Sequence, residues 1–592
     1  MNNTENNTDK NKKKNRLPLI IGAAVLLVLL IVLLAVLLSK CGGKKTGPAD
    51  TSFSGSTADT SESVTNTTDT SSGTVTGTDP GTKTDTETGT NTNTETGAAT
   101  DTAPGTETGA PDDKPAHVHT FGDWTVLSEP ACLTVGERER VCSTCGEKQT
   151  EEIPPLGHDG HNNECIRCGK KALSAENIKF EPYPFGDGIW IKKIQNLDDP
   201  DVLIPDVLDG QSVTCVPSDV FIDNETVETI SLPDSVTQLG TFTFYRCPNL
   251  RMIRFGKKIG NQYTAITGFC PKIDYLVVPP ENTLIHSDHN CVIETETKTL
   301  LHGCRNSIIP DDGSVLTLAN TAFFDCTGLT SIVIPSPVTT ITECAFKECR
   351  DLVSVEISDS VTSIGGNVFV MCKSLKNVRL PAHLTLLENE LFEFCDALEE
   401  ITVPDEVVVI RSECFYGCKA LKTVRIPESV KRIDNYAFQQ CFSLESITLP
   451  TGLTHLGEAF KECTSLKSIV IPDGVEELFT GTFIDCTSLS DVKLPKDLIR
   501  VPRLLFSGCT SLTSVTIPNG NKIEEYAFSG CTALKSVTIP ASVIYVEEDI
   551  FEDCVSLENI NYRGSEADWA KMKIHRSNEV LNNTRIVYNY KD

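Results

Sequence analysis

From Cys326 to Cys554 a cysteine returns every 22 or 23 residues, and so short and regular a period leaves few folds open to the chain. One template recurs between successive cysteines, shown by CTGLTSIVIPSPVTTITECAFKEC at 326–349. Strict self-similarity over ten intervals indicates a solenoid, in which each coil packs only against its neighbours. The cysteines in this register are Cys326, Cys349, Cys372, Cys395, Cys418, Cys441, Cys463, Cys486, Cys509, Cys531 and Cys554.

The template predicts one short strand and one turn in every coil. Ile332 and Ile334 alternate with Val333, so one face of this strand points inward and the other outward. Pro335 has no N–H to donate and ends the strand. Further apolar residues follow at Val338, Ile341, Ala345 and Phe346. We expect about thirteen such coils to share one continuous interior, which only neighbouring coils can complete.

The outward strand positions form two rows of small, polar residues of mixed charge. They include none of the aromatic anchors that dominate binding hot spots. We therefore expect a broad, weak or multivalent contact rather than a deep small-molecule pocket, a merely solvated sheet face being the alternative. One row is Ser331, Ser354, Asn377, Glu400, Thr423, Ser446, Ser468, Asp491, Ser514 and Ser536; the other is Val333, Glu356, Arg379, Thr402, Arg425, Thr448, Val470, Lys493, Thr516 and Thr538.

The cysteines of the register are predicted to be packing residues rather than reagents. Stacking places equivalent thiols about 4.8 Å apart, which disulfides could bridge, but eleven equivalent positions cannot pair off evenly. No histidine stands at a fixed place beside them to activate a nucleophile, and buried thiols have raised pKa values. The sequence also lacks G-x-S-x-G, H-E-x-x-H and P-loop motifs, so we predict no catalytic residues. The alternative is an enzyme that uses an off-register cysteine: Cys215, Cys270, Cys344 or Cys414.

The register loosens upstream of Cys326. The segment VETISLPDSVTQLGTFTFYRC, which ends at Cys247, is another unit, and LIPDVLDGQSVTCVPSDVF from Leu203 is a weaker one. Between Cys247 and Cys326 an insertion contains NTLIHSDHNCVIETETKTLLHGC. We predict that this insertion is a hairpin-like elaboration of one unit.

Five cysteines and four of the ten histidines fall between His117 and Cys168. Two Cys-x2-Cys pairs separated by 19 residues are typical of a tetrahedral structural zinc site, with Gly146 and Gly169 allowing a left-handed backbone after each pair. The predicted ligands are Cys142, Cys145, Cys165 and Cys168. Other residues could replace one or more of them: Cys132, His117, His119, His158 and His161. Disulfides between these thiols are the main alternative to zinc.

The N-terminal segment predicts a membrane anchor. Residues 17–38 form an uncharged stretch of 22 residues, which spans roughly 30 Å as a helix. Five basic residues precede it (Lys10, Lys12, Lys13, Lys14 and Arg16) and three follow it (Lys40, Lys44 and Lys45), which favours a cytoplasmic N-terminus and an extracellular C-terminal bulk. A cleaved signal peptide or a lipoprotein modified at Cys41 are the alternatives.

The residues after this stretch, and the overall charge, restrict the partners. Residues 46–116 contain 23 Thr and 12 acidic residues. The segment has too few apolar residues to offset the loss of chain entropy on folding, so we predict a disordered linker. The whole chain has a formal net charge of −29, which argues against nucleic acid as a partner.

The repeat C-x2-L-x2-V-x-I-P-x2-V-x2-I-x3-A-F resembles the BspA-like leucine-rich repeat of bacterial surface proteins, over about 390 residues. This resemblance implies a right-handed coil of parallel β-strands. The segment YRGSEADWAKMKIHRSNEVLNNTRIVYNY, with its Trp569, resembles the end of such arrays and is expected to cap the solenoid. The stretch HVHTFGDWTVLSEPACLTVGERERVCSTCGEKQTEEIPPLGH resembles a small module common in bacterial surface proteins, which implies an extracellular spacer.

The predicted organisation has seven parts: a cytoplasmic basic tail (1–16), a transmembrane helix (17–38), a Thr/Asp-rich disordered linker (39–116), a Cys/His zinc-ribbon-like module (117–171), a connector (172–196), a leucine-rich repeat solenoid (197–562) and a C-terminal cap (563–592). The resemblance implies a membrane-anchored protein that adheres to extracellular proteins or neighbouring cell surfaces. A passive envelope or display structure without a specific ligand is the alternative.

Overall fold

The computed structural model describes residues 118–218, 220–260 and 265–591. The predicted cytoplasmic tail, membrane span and linker lie outside these residues. No helix within the described ranges is long and apolar enough to cross a membrane.

The predicted solenoid is confirmed as a stack of parallel strands with about 17 turns, more than the thirteen expected from the register alone. In its longer strands inward and outward residues alternate, as predicted: Ile332 and Ile334 are buried, whereas Val333 is exposed. Equivalent residues are paired from turn to turn, Ile332 with Val355 and Val333 with Glu356. The longer parallel strands are Asp201–Leu203, Thr229–Ser231, Met252–Arg254, Tyr275–Val277, Ser331–Ile334, Ser354–Ile357, Asn377–Arg379, Glu400–Thr402, Thr423–Arg425, Ser468–Val470, Asp491–Lys493, Ser514–Thr516, Ser536–Ile539, Asn559–Tyr562 and Arg585–Val587.

A second set of parallel strands, each two residues long, accompanies the longer set. Most of these strands end in a buried apolar residue such as Ile341 or Ile410, because Val-x2-Ile in the template returns the chain to the core. Phe244–Tyr245 and Thr267–Gly268 pair with each other as a separate sheet, and Ile574 is half-buried. These strands are Gln238–Leu239, Phe244–Tyr245, Thr267–Gly268, Thr317–Leu318, Thr340–Ile341, Ser363–Ile364, Leu386–Leu387, Val409–Ile410, Arg432–Ile433, His455–Leu456, Lys522–Ile523, Tyr545–Val546 and Lys573–Ile574.

The residues before the repeats form one antiparallel sheet and two hairpins. A three-stranded antiparallel sheet consists of Thr125–Ser128, Gly136–Val141 and Lys148–Ile153, and a small hairpin of Gly160–His161 and Glu164–Cys165 follows it. The predicted connector 172–196 contains a 3-10 turn, Ala175–Asn177, and a hairpin of Ile178–Pro182 and Ile189–Ile194. This hairpin pairs in parallel with Gln211–Val216, which also pairs with Val207–Leu208, and so covers the N-terminal end of the solenoid.

The insertion between Cys247 and Cys326 is confirmed as a hairpin-like elaboration. Three antiparallel strands, Ile285–Asp288, Cys291–Glu294 and Thr299–His302, follow one another, and the last of them pairs in parallel with Thr317–Leu318. The chain therefore leaves the parallel stack for two strands and then rejoins it.

This insertion divides the apolar interior into two cores, so the expectation of one continuous interior is wrong here. Cys291 and Ile293 lie in the C-terminal core, whereas Val292 between them lies in the N-terminal core. A strand that is apolar on both faces must be covered on both, which explains the division. Ala319, in the turn that follows, packs against both cores.

Within the C-terminal core the phenylalanines of the template form an unbroken stack. Ring centroids of successive turns lie 4.9 Å apart for Phe323 and Phe346 and 5.9 Å apart for Phe460 and Phe483, with interplanar angles of 11° and 2°. The stack continues to Phe551. Near-parallel rings at this spacing follow from identical rotamers repeated at nearly one strand spacing.

The C-terminal segment, predicted as a cap, continues the stack beyond the last regular repeat. Its helix Glu566–Trp569 starts with a capping box, in which Ser565 and Asp568 exchange hydrogen bonds, and a 3-10 turn, Glu579–Asn583, follows. Trp569 lies edge-on to Tyr562 at 5.1 Å between ring centroids. Strands of this segment extend both sets of parallel strands, which leaves the last repeat covered.

Candidate functional sites

The four predicted zinc ligands are not brought together at one point. Cys142 and Cys145 group with His119, whereas Cys165 and Cys168 group with Cys132 and His158. We call the first group the His119 cluster and the second the Cys132 cluster. In each cluster all ligand atoms lie within 4.8 Å of one another. Three of the five alternative ligands named from the sequence enter these groups: His119 in the first, Cys132 and His158 in the second. His161 is in neither group, and His117 lies outside the described residues.

Each Cys-x2-Cys pair has the tight turn that its glycine predicted. Gly146 N–H donates to the Cys142 carbonyl and Gly169 N–H to the Cys165 carbonyl, both at 2.9 Å. Gly146 and Gly169 have φ values of 77° and 73°, in the left-handed region that glycine adopts most readily. The turns thus bring two sulfurs of each pair to one side of the backbone.

The Cys132 cluster is the more enclosed of the two. Cys132, His158 and Cys165 are buried, and Cys168 is exposed. The Sγ atoms of Cys132 and Cys165 lie 3.7 Å apart, and Cys168 Sγ lies 3.3 Å from His158 Nδ1. Three sulfurs and one imidazole nitrogen are a donor set that suits Zn²⁺.

The His119 cluster is more open and has three donors. Cys145 Sγ lies 3.4 Å from His119 Nδ1, and His119 Nε2 lies 3.3 Å from a carboxylate oxygen of Glu147. Cys142 is buried and Cys145 half-buried. The described residues therefore supply three of the four ligands that a structural zinc site usually has.

The cysteine column of the solenoid is buried, and its thiols act as hydrogen-bond donors as well as apolar filler. The ten register cysteines after Cys326 are all buried. Each thiol donates to the carbonyl of the phenylalanine in the preceding turn, for example Cys418 Sγ to Phe392 O at 3.1 Å. This bond was missed from the sequence, although a donor requirement explains why the position holds Cys rather than Ala.

Burial also makes these thiols poor nucleophiles. It raises the pKa of the Cys372 thiol and of the Cys349 thiol above the ordinary value. Among the off-register cysteines, burial raises the pKa of Cys215 to about 11 and also raises the pKa values of Cys344 and Cys414. These three thiols are protonated near neutral pH, which argues against a nucleophile at their positions. In the fourth off-register cysteine, the buried Cys270, the hydrogen bond with Cys247 lowers the thiol pKa.

The two predicted outward rows lie on the exposed face of the longer strands, with one clear exception. Val333 and Val470 are each 58% exposed, although both are apolar. Thr538, in the last regular turn before the C-terminal segment, is buried. The remaining positions of the rows are exposed or half-buried.

An open groove of about 1120 Å³ crosses this face over five turns, from Ser331 to Arg425. Its polar lining includes Glu356, Asn377 and Glu400. Because the coil repeats, the groove presents side chains at equivalent positions of each turn, but their charge changes along the row, as at Val333, Glu356 and Arg379.

Two arginine–aspartate pairs lie two turns apart along this groove. Arg379 Nη2 contacts Asp359 at 2.6 Å, and Arg425 Nη2 contacts Asp405 at 3.0 Å. All four side chains are largely exposed, so each pair adds little to stability. The pairs orient the two guanidinium groups, and Arg379 Nη1 also donates to the Ile357 carbonyl at 3.1 Å.

Solved structures that are similar to this chain include two bacterial leucine-rich repeat proteins. A leucine-rich repeat protein from Bacteroides ovatus is 22% identical, with 70% of this chain and 99% of that one covered and a TM-score of 0.43. A leucine rich cell surface protein from Faecalibacterium prausnitzii is 24% identical, with 69% and 98% covered and a TM-score of 0.37. Comparison with curated proteins finds no match.

The family comparison covers most of the solenoid. A model of the BspA type leucine rich repeat region matches in six copies, over residues 207–299, 301–422, 385–513 and 499–583. These ranges include the cysteine column, the phenylalanine stack and the outward rows. The chain therefore belongs to the BspA type leucine-rich repeat family of surface proteins.

Proposed function

We propose that this protein binds extracellular proteins or neighbouring cell surfaces through the outward face of its solenoid, as an adhesion protein. The observation that carries the proposal is the polar groove over five turns, with its two arginine–aspartate pairs. Side chains of mixed charge at equivalent positions of successive turns favour a partner that makes many small contacts along one direction. A partner of this kind is a macromolecule and not a small metabolite.

Display at the cell surface is the second part of the proposal. The uncharged stretch 17–38 would anchor the chain in the membrane as a single helix, with the bulk of the protein outside. The Thr-rich linker and the Cys/His module would hold the solenoid away from the bilayer. Family membership supports a surface location, and structural zinc in the module at 117–171 remains part of the proposal.

The proposed role is binding without catalysis. Inert column thiols and a groove of mixed charge suit recognition better than a reaction. The net charge of −29 makes nucleic acid an unfavourable partner. The competing function is passive display, in which the same face is only solvated.

A binding screen with charge-reversal variants tests the proposal. The full chain should bind saturably to at least one matrix protein or bacterial surface, and Arg379→Glu with Arg425→Glu should weaken that binding at least about tenfold. Arg576→Glu with Arg585→Glu is the matched control, since both arginines are exposed and lie in the C-terminal segment, away from the groove. Saturable binding that all variants share would place the contact elsewhere on the protein. Absence of any saturable partner would favour passive display.

A further inference from the structure

The geometry points to a structural zinc site at the Cys132 cluster that also fastens the Cys/His module to the first turns of the solenoid. This inference rests on the proposed structural zinc of the module and is independent of the proposed ligand binding. It replaces two of the ligands predicted from the sequence, Cys142 and Cys145, by Cys132 and His158.

The spacing of the ligand atoms fits one tetrahedral metal ion. Two sulfurs that each lie about 2.3 Å from Zn²⁺ in a tetrahedral shell are about 3.8 Å apart. Cys132 Sγ and Cys165 Sγ are 3.7 Å apart, close to this value and far beyond the length of about 2.05 Å of a disulfide bond. The sulfur of Cys168 approaches the imidazole nitrogen of His158 on the same side.

The second hydrogen-bonding partner of the histidine orients it as a ligand. His158 Nε2 lies 2.6 Å from Asp201 Oδ2, which leaves Nδ1 directed at the cluster. A metal-ligating histidine almost always donates its other ring N–H to a carboxylate, a carbonyl or water, and this fixes the tautomer and ring orientation. Asp201 itself receives a hydrogen bond from Thr229 and lies 3.6 Å from Lys170 Nζ, so its position is fixed as well.

Asp201 belongs to the solenoid, and the contacts around it join the module to the repeats. The strand Asp201–Leu203 is the first of the longer parallel strands, and Leu203 packs against Cys132 and Cys165 in one small apolar cluster. His158 N–H donates to Ser231 Oγ at 2.9 Å, on the next longer strand. A metal at the cluster therefore holds residues that contact two successive turns.

The local chain path is shaped for this close contact. A Cβ at Gly157 would lie 2.6 Å from the side chain of Arg254, and one at Gly160 would lie 3.1 Å from Leu203. Arg254 is buried and pairs with Asp159 at 3.3 Å. The segment between the two glycines is thus pressed against the solenoid, and His158 lies in the middle of it.

Four protein ligands close the coordination shell of zinc, so this metal would be structural and not catalytic. Binding energy of a structural zinc ion is also folding energy, since the site does not exist in the unfolded chain. Removal of the metal should therefore loosen the module from the solenoid and leave the distant turns unchanged.

Metal analysis of full-chain variants tests the ligand assignment. Cys142→Ser with Cys145→Ser removes the His119 cluster and should leave one zinc per chain. Adding Cys132→Ser and Cys165→Ser to that background should remove it. If Cys142→Ser with Cys145→Ser contained no zinc while the wild type, prepared in the same way, contained zinc, the ligand assignment alone would be overturned. Zinc-free wild type purified under reducing conditions, or a Cys132–Cys165 disulfide found by mass spectrometry, would overturn the site altogether.

A second measurement keeps the inference falsifiable if the cysteine variants misfold. Asp201→Asn leaves all four ligands in place and should weaken zinc binding about 10- to 100-fold in competition with a chromophoric chelator. Treatment of the wild type with a strong chelator should raise hydrogen exchange at 157–171 and 201–203, with the turns at 331–425 as internal control. Unchanged zinc affinity in Asp201→Asn would contradict the role of Asp201, and unchanged exchange after zinc loss would contradict the fastening.

Discussion

Ile401→Asp should cause local unfolding of the solenoid around its turn, whereas Thr402→Asp, one residue later in the same strand, should be tolerated. Ile401 is 5% exposed within the strand Glu400–Thr402, and the side chains on either side of it are exposed. The substitution removes a buried aliphatic side chain and places a carboxylate in the core, for a combined cost of at least about 4 kcal/mol. At Thr402 we expect a change within about 0.5 kcal/mol.

Limited proteolysis of the native protein measures this difference. Cleavage of a transiently open form follows its population, so 4 kcal/mol corresponds to an increase of about three powers of ten in the open fraction. New cleavage should appear near residue 400 in Ile401→Asp and not in Thr402→Asp. Equal cleavage of both variants would contradict the assignment of Ile401 to the buried face of the strand and of Thr402 to the exposed face.

Phe415→Ala should produce the second large effect, a loss of about 3–5 kcal/mol in the local free energy of opening. The Phe415 ring lies between those of Phe392 and Phe438, at 5.6 and 5.3 Å between centroids, and is fully buried. Its removal leaves a cavity that the neighbouring rings can only partly fill. Because a solenoid couples mainly nearest neighbours, we expect the effect to fade within a few turns.

Native-state hydrogen exchange resolves this effect turn by turn. Amides of the turns that flank Phe415 should lose two to four powers of ten in protection, which corresponds to 3–5 kcal/mol. The control is Phe185→Ala, at a ring that is 83% exposed, where protection should be unchanged. Protection near 415 that matches the wild type would show that the ring stack adds little to stability.

The solenoid was predictable because the alternation of inward and outward residues is a local pattern that recurs in every repeat. Ile332 and Ile334 alternate with Val333 in the sequence, and the same alternation appears in the burial of the strand. The antiparallel insertion was also predictable, because the template fails there. Its division of the core was not, because only the packing around Val292 and Ile293 shows which side each residue faces.

The metal clusters show where sequence reasoning stops. Spacing identifies each Cys-x2-Cys turn, and both turns have the expected glycine geometry. Which donors meet at a cluster depends on contacts far apart in the chain. Gly157 N–H bonds the Cys132 carbonyl, which brings Cys132 toward Cys165, and Asp201 of the solenoid turns His158 toward the same point. Neither contact has a sequence signature.

The thiol hydrogen bonds were missed for a different reason. Cysteine was interpreted as a small apolar residue, which its burial supports. Its weak donor capacity matters here only because a carbonyl of the preceding turn lies within reach, as Phe392 O does for Cys418. The distance between the thiol and this carbonyl is set by the spacing of successive turns, and the sequence of a single repeat does not reveal that spacing.

Thiol mapping by mass spectrometry most directly tests whether the repeats stack around a cysteine column. The folded, reduced protein is treated with an alkylating reagent, quenched, unfolded and treated with a second reagent of different mass. The ten buried register thiols from Cys349 to Cys554 should carry only the second label, while Cys344, off the register and half-buried, should acquire the first label sooner. Rapid first labelling in the middle of the column, or disulfides between successive register cysteines in protein isolated without reductant, would contradict the stacked interior.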